Sequence, residues 1–328
     1  MLMSIAAVVA GLAILVWSAD HFVEGAAAIA HRLGVSNLII GITVIGFGTS
    51  APEMLVSIMA ALEKIPDIAI GNALGSNVAN IGLILGLTAL LVPVPVSAGL
   101  MRAEYPMLAV ATLALVACLY DLQLTWFEGV ILLTLLVGTM GLMIRMHRVS
   151  GDDRQLDEVD EIDASMSALA AWFWIIVGLL LLVGSSRMLV WGASNIAQEL
   201  GVSELVIGLT IVAVGTSLPE LAASLASLKK SVPDLAVGNV IGSNLFNSLA
   251  VVGIAPMLGG FKVDAHVLTR DLPVMVAMTA LLFLMSWLPR AKTVHLTRVK
   301  GVVLLLSFVG YQGYLYYVAA LGTPKIFG

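Results

Sequence analysis

Gly48-Thr49-Ser50-Ala51-Pro52-Glu53 decides the fold, because the chain carries it twice. A shift of 167 residues lays Gly215-Thr216-Ser217-Leu218-Pro219-Glu220 over it, and the match runs outward on both sides. Leu33-Gly34-Val35-Ser36 falls on Leu200-Gly201-Val202-Ser203, and Pro66-Asp67 on Pro233-Asp234. Gly71-Asn72-Ala73-Leu74-Gly75-Ser76-Asn77 falls on Gly238-Asn239-Val240-Ile241-Gly242-Ser243-Asn244. Without a gap, 23 of the 48 positions from 33 to 80 are identical. The matches are mostly polar residues, glycine and proline, which two arbitrary apolar stretches would not share. The chain is therefore an internal duplication.

Both copies lie in apolar sequence. Of the 328 residues, 60% are hydrophobic and 11% charged, with a mean hydropathy of +1.04. A soluble domain carries about a quarter charged residues, so much of this surface is expected to face lipid. Stretches of about 20 apolar residues can span a bilayer. Ten are expected, over 3–30, 37–62, 67–92, 99–119, 124–146, 167–197, 204–228, 233–258, 272–289 and 301–321. The first reads as a retained span rather than a cleaved signal peptide, since no basic segment precedes it. Spans of this length predict an all-α polytopic membrane protein, because lipid offers no partner to unpaired backbone groups.

Five spans fall in each half. Five is odd, so the second half enters the membrane from the opposite side and the repeats are inverted. Secondary transporters are commonly built this way, with the site at the repeat interface. The expected division is 1–146 for the first five-helix repeat, 147–165 for a linker and 166–328 for the second. Numbering the loops alternately places eleven lysines and arginines on one side, including Arg32, Arg145, Lys229, Lys230 and Lys300. Four, Lys64, Lys262, Arg270 and Lys325, fall on the other. By the positive-inside rule both termini face away from the cytoplasm. The linker holds seven acids, Asp152, Asp153, Asp157, Glu158, Asp160, Glu161 and Asp163, and much of the net charge of −5. It reads as a solvated cytoplasmic connector; a cation sensor is the alternative, but EF-hand spacing is absent. Cys118 is the one cysteine, so no intrachain disulfide forms.

The repeated motif places chemistry at membrane depth. Thr49 and Glu53 are four apart and share a helix face, with Ser50 and Ser57 close to it. Pro52 has no N–H for the Gly48 carbonyl, which is expected to be left free. Carboxylate, hydroxyl and carbonyl oxygens together suit hard cations such as Na⁺ and Ca²⁺. Glu220, Thr216, Ser217 and the Gly215 carbonyl repeat the set. The next span adds a stripe: Asn72, Ser76 and Asn80 at i, i+4 and i+8, repeated as Asn239, Ser243 and Asn247. Ser76, Ser243, Asn80 and Asn247 read as cation ligands. Gly71, Gly75, Gly238 and Gly242 read as close-packing positions, Asn77 and Asn244 as helix–helix hydrogen bonds, and Asp67 and Asp234 as helix-start acids. Asp20 and Arg187 are 167 apart, which raises an ion pair between spans one and six. The five histidines show no metal-ligand spacing, and no cofactor or nucleic-acid motif is present.

These paired Gly-Thr-Ser-x-Pro-Glu and Gly-Asn-x-x-Gly-Ser-Asn strings resemble the two α-repeats of the sodium/calcium exchanger (cation/calcium antiporter) family, in its short prokaryotic form. The resemblance covers nearly the whole chain. It implies ten transmembrane helices in two inverted five-helix repeats, in an inner (plasma) membrane, with no obligatory protein partner. It implies that Glu53 and Glu220 bind Ca²⁺ in alternation with Na⁺, and that spans one and six slide over the other eight. It further implies Na⁺ ligation by Ser50, Ser217, Thr49, Thr216, Ser76 and Ser243, with backbone carbonyls around Gly46 and Ala213. One departure matters: the potassium-dependent branch carries aspartate where Asn247 stands. With Asn80 and Asn247 both neutral, the site offers two formal negative charges. A proton/calcium antiporter on the same scaffold and a passive cation channel remain as other readings. An intramembrane protease would need a catalytic pair at matched depth, which the sequence lacks.

Overall fold

The computed structural model describes residues 1–63, 66–97, 100, 103–150, 166–201, 211, 213–286 and 293–321. In chain order these form α1 (Leu2–Leu33), α2 (Asn37–Thr49), α3 (Ala51–Leu62), α4 (Asp67–Leu91), β1 (Val94–Ser97), α5 (Glu104–Leu119), β2 (Gln123–Leu124) and α6 (Trp126–Met146). There follow α7 (Ala168–Glu199), α8 (Ala213–Thr216), α9 (Leu218–Lys229), α10 (Pro233–Met257), β3 (Phe261–Lys262), α11 (Val267–Ser286), β4 (Thr293–Leu296) and α12 (Arg298–Val318). The protein is mostly helical. Seven helices, α1, α4, α6, α7, α10, α11 and α12, are long and apolar enough to cross a membrane. The pair α2–α3, bent by 41°, passes the same test of length and apolarity only when its two parts are taken together. The expected fourth span is the shorter apolar helix α5. The expected seventh, over 204–228, and the acidic linker lie partly outside the described residues.

The expected helical character holds, and two short ladders that the sequence did not signal are added to it. These antiparallel ladders join loops of the chain: β1 pairs with β4, placing Val94 opposite Leu296, and β2 pairs with β3, placing Leu124 opposite Phe261. The cause is local. Val94 and Val96 are β-branched and fully buried, and their backbone groups need partners once water is excluded. Each ladder joins a loop that follows a Gly-Asn-x-x-Gly-Ser-Asn helix (α4 or α10) to the loop before α12 or α6.

Burial sorts the helices into centre and periphery. The most apolar windows of α10 and α4 are 89% and 72% buried, whereas those of α12, α6 and α7 are 17%, 22% and 28% buried. The polar stripes therefore lie on the two innermost helices. The outer ones turn Leu180, Val137, Leu306 and similar side chains outward, where lipid satisfies them. α1 and α7 are each 32 residues long, roughly 48 Å at 1.5 Å per residue, and exceed a hydrocarbon core of about 30 Å. They run antiparallel along a seam of small residues: Gly178 rests on Phe22, Gly11 on Leu189, and Gly192 on Ser4.

Candidate cation site

The site begins at the break between α2 and α3. Ser50 has φ −83° and ψ −1°, where the helix is interrupted, and Pro52 sits in the first turn of α3. Ser217, between α8 and α9, repeats this with φ −91° and ψ 4°, followed by Pro219. Proline explains both breaks, since it cannot donate to the preceding turn. The expected free carbonyls are a different matter. At Ser50 the cap N–H groups reach the carbonyls of Gly46 and Gly48, so Gly48 is not left without a partner. The Gly215 carbonyl accepts the Ser186 hydroxyl of α7 at 2.7 Å. Backbone adjustment and a neighbouring helix satisfy what the missing proline N–H leaves open.

Each break buries its glutamate. Glu53 and Glu220 are each 1% exposed. Thr49, Ser50, Ser76, Asn80, Ser217, Ser243 and Asn247 are also buried. Thr216 is half-buried on α8, and Ala213 opens that helix. The Gly46 carbonyl takes the Ser50 N–H at 3.1 Å.

Contacts cross between the halves. The Thr49 hydroxyl has two acceptors for its one proton: the Ile45 carbonyl at 3.0 Å and Asn239 Oδ1 at 3.1 Å. Ser243 Oγ lies 3.3 Å from the same hydroxyl. The Asn80 amide donates to Asn244 Oδ1 at 3.0 Å. Ser57 donates to the Val251 carbonyl at 2.6 Å, which ties α3 to α10.

Most buried polar atoms in a folded protein find a hydrogen-bond partner. Among the described residues eight of the twelve exceptions fall on residues that the sequence marks as cation ligands. Ser50 Oγ, both Glu53 oxygens, Asn80 Oδ1, Ser217 Oγ, Glu220 Oε2 and both amide atoms of Asn247 have none among the described residues. They belong to three repeat-related pairs. Seven of these eight atoms are oxygens, the donor set a hard cation requires. Among the described residues no group of three or more His, Cys, Asp or Glu side chains is present, so any cation held here relies on two carboxylates and neutral oxygens.

Sequence reasoning missed three features. Asn72 and Asn239, placed in the stripes without a role, clamp the helices: their amides donate to the backbone carbonyls of Glu53 at 3.4 Å and Glu220 at 3.0 Å. Equal spacing of 19 residues in both halves was the available signal. Glu104 and Asp271 form a second pair of buried acids 167 residues apart, each two residues before a proline. Asp271 is held by Arg270, at 2.7 and 3.0 Å, and by Tyr311 at 2.8 Å, away from the site. Finally, Asp20 does not pair with Arg187. The α1–α7 seam places Asp20 near Gly178 and Arg187 near Gly11. Asp20 instead meets Lys229 at 2.5 Å, and Glu24 meets Lys230 at 3.2 Å.

The two halves also differ. Asn239, Gly238 and Leu235 are buried, while Asn72 is half-buried, Gly71 is exposed and Ile68 is 51% exposed. On the buried side α2 lies directly on α10, with the Ile42 carbonyl against Gly242.

Comparison with known proteins agrees with this geometry. The chain is 45% identical to the putative antiporter CaxA of Alkalimonas amylolytica over 96% of its own length and 99% of that protein's. It is 30% identical to the sodium/calcium exchanger MaX1 of Methanosarcina acetivorans over 94% of its length and 97% of that protein's. The solved sodium-calcium exchanger NCX_Mj superposes with a TM-score of 0.79 at 31% identity, covering 98% of this chain and 99% of that one. The pattern of the sodium/calcium exchanger protein family matches residues 3–145 and 170–317. This integral membrane chain belongs to the sodium/calcium exchanger protein family, a family of cation antiporters.

Proposed function

We propose that the chain exchanges Na⁺ for Ca²⁺ by alternating access, with Glu53 and Glu220 sharing both ions at one site between two inverted halves. The observation that carries this reading is the set of unpartnered buried oxygens on Ser50, Glu53, Asn80, Ser217, Glu220 and Asn247. An unpaired buried carboxylate is costly, by several kcal/mol. A cation relieves that cost for both acids at once. Thr49, Thr216, Ser76 and Ser243, with the carbonyls of Gly46 and Ala213, complete the proposed ligand set. One Ca²⁺ or two Na⁺ balance two carboxylates, so the empty site resists crossing and exchange is favoured over leak.

The proposed frame is ten spans in two five-helix repeats, 1–146 and 166–328, joined by the connector 147–165. Both termini then lie on the non-cytoplasmic side of a plasma membrane. The antiparallel run of α1 and α7, which are repeat-equivalent helices, supports inversion. The unequal burial around Asn72 and Asn239 supports a protein halted with one side more open than the other. The hydroxyl-rich surroundings of both glutamates favour Na⁺ over H⁺ as the driving ion.

Ion-substitution flux in proteoliposomes tests the reading. An outward Na⁺ gradient should drive ⁴⁵Ca²⁺ uptake, and Glu53→Gln or Glu220→Gln should abolish it. Wild-type uptake in both variants would remove the site from its role. Uptake driven by a pH gradient without sodium would reassign the coupling ion.

A further inference from the structure

The Asn80 amide donates to Asn244 Oδ1 at 3.0 Å, and both residues are buried at 1% exposure. A carboxamide has an oxygen at one end and an NH₂ at the other, and only the oxygen can face a cation. The two ends have nearly the same shape, so packing alone selects weakly between them. An acceptor fixed against the NH₂ end makes the choice. Asn244 supplies it, and Asn80 Oδ1 is left without a hydrogen-bond partner.

The repeat-related pair is Asn247 with Asn77. The Asn77 amide donates to Ser248 Oγ at 2.8 Å. Asn77 Oδ1, the counterpart of the Asn244 acceptor, has no partner, and neither has the Asn247 amide nitrogen that would donate to it. One clasp is closed and its counterpart is open.

We propose that Asn244 is a positioning residue: it clasps the Asn80 amide so that Asn80 presents oxygen to the transported cation, and Asn77 stands in the same relation to Asn247. The proposal rests on the reading of Asn80 as a cation ligand. Without the clasp, Asn80 samples the orientation that turns NH₂ toward the ion, and cation affinity falls. Aspartate at position 80 has oxygen at both ends and needs no clasp.

The test is a cycle on the full-length chain in proteoliposomes, reading KM for Ca²⁺ and maximal rate of Na⁺-driven ⁴⁵Ca²⁺ uptake. Asn244→Ala should raise KM about five- to tenfold, the worth of one hydrogen bond, with the maximal rate retained. In the Asn80→Asp background the same substitution should raise KM less than about twofold. Asn244→Asp keeps an acceptor and should hold KM at or below the wild-type value. Equal increases in both backgrounds, or a KM for Asn244→Asp as high as for Asn244→Ala, would overturn the proposal and leave Asn244 a packing residue. The underlying reading is checked separately by Asn80→Leu: an unchanged KM there removes Asn80 from the ligand set, whereas a raised KM with a silent Asn244→Ala rejects the clasp alone.

Discussion

Thr49 Oγ1 stands 3.1 Å from Asn239 Oδ1, although 190 residues of chain separate them. That contact holds the broken helix of one half against the innermost helix of the other. It also leaves the Thr49 proton shared between Asn239 and Ile45, with Ser243 Oγ 3.3 Å away. Removing the hydroxyl while keeping the shape should weaken the site without unfolding it. Thr49→Val is expected to raise KM for Ca²⁺ about fivefold, one hydrogen bond between neutral groups being worth about 1 kcal/mol. Thr49→Ser should stay close to wild type. Valine behaving like serine in the uptake assay would show that the hydroxyl is dispensable.

Close approach at Gly242 sets a second expectation. A Cβ there would lie 2.3 Å from the Ile42 carbonyl oxygen and 2.7 Å from Ile42 Cα, both backbone atoms that cannot swing aside. Gly242→Ala must push α2 off α10, at a cost of about 1–3 kcal/mol for overpacking. A lowered melting temperature in detergent and loss of transport should follow together. A Gly242→Ala variant that melts and transports like wild type would contradict this close approach.

The Asp20–Lys229 pair should contribute little to stability despite its 2.5 Å separation. The lysine side chain is 67% exposed and the aspartate 23%. Exposed pairs contribute at most about 1 kcal/mol and are screened by salt. Asp20→Asn, Lys229→Gln and the double variant are expected to melt within a few degrees of wild type. Any difference should shrink as ionic strength rises. A large, salt-insensitive drop for either single variant would mean that the pair is buried in the bilayer environment.

How much of this was legible beforehand depends on the kind of interaction. The repeat offset tied Glu53 to Glu220 and Asn80 to Asn247, because covalent periodicity is written in the chain. Helix breaks at Ser50 and Ser217 followed from Pro52 and Pro219 for the same local reason. Partners were not legible where tertiary register decides them. Offset alone placed Asp20 opposite Arg187, but an antiparallel seam moves symmetry equivalents apart, and Lys229 takes the acid instead. The Gly215 carbonyl read as free until Ser186, on another helix, reached it. The ladders of β1 with β4 and β2 with β3 join residues about 200 and 140 apart, too short in sequence to signal themselves.

Asn247 carries the last expectation, because both of its amide atoms are buried without partners and lie in the same unpartnered set as Glu53 and Glu220. Aspartate there keeps the shape and adds a third negative charge. Two carboxylates are neutralised by one Ca²⁺; three leave an excess negative charge in a low-dielectric site, where an unpaired charge costs several kcal/mol. The divalent ion should therefore bind more tightly and leave more slowly. For Asn247→Asp, KM for Ca²⁺ is expected to fall and the maximal rate to fall with it, each about threefold or more, a factor worth only about 0.7 kcal/mol. The excess charge should also draw in an additional monovalent cation, so adding K⁺ or Na⁺ on the Ca²⁺ side should partly restore the rate. Both parameters are read from the same ⁴⁵Ca²⁺ uptake curves. A variant with unchanged KM and rate would place position 247 outside the ion's reach, and the charge balance would then rest on Glu53 and Glu220 without any contribution from the stripe on α10.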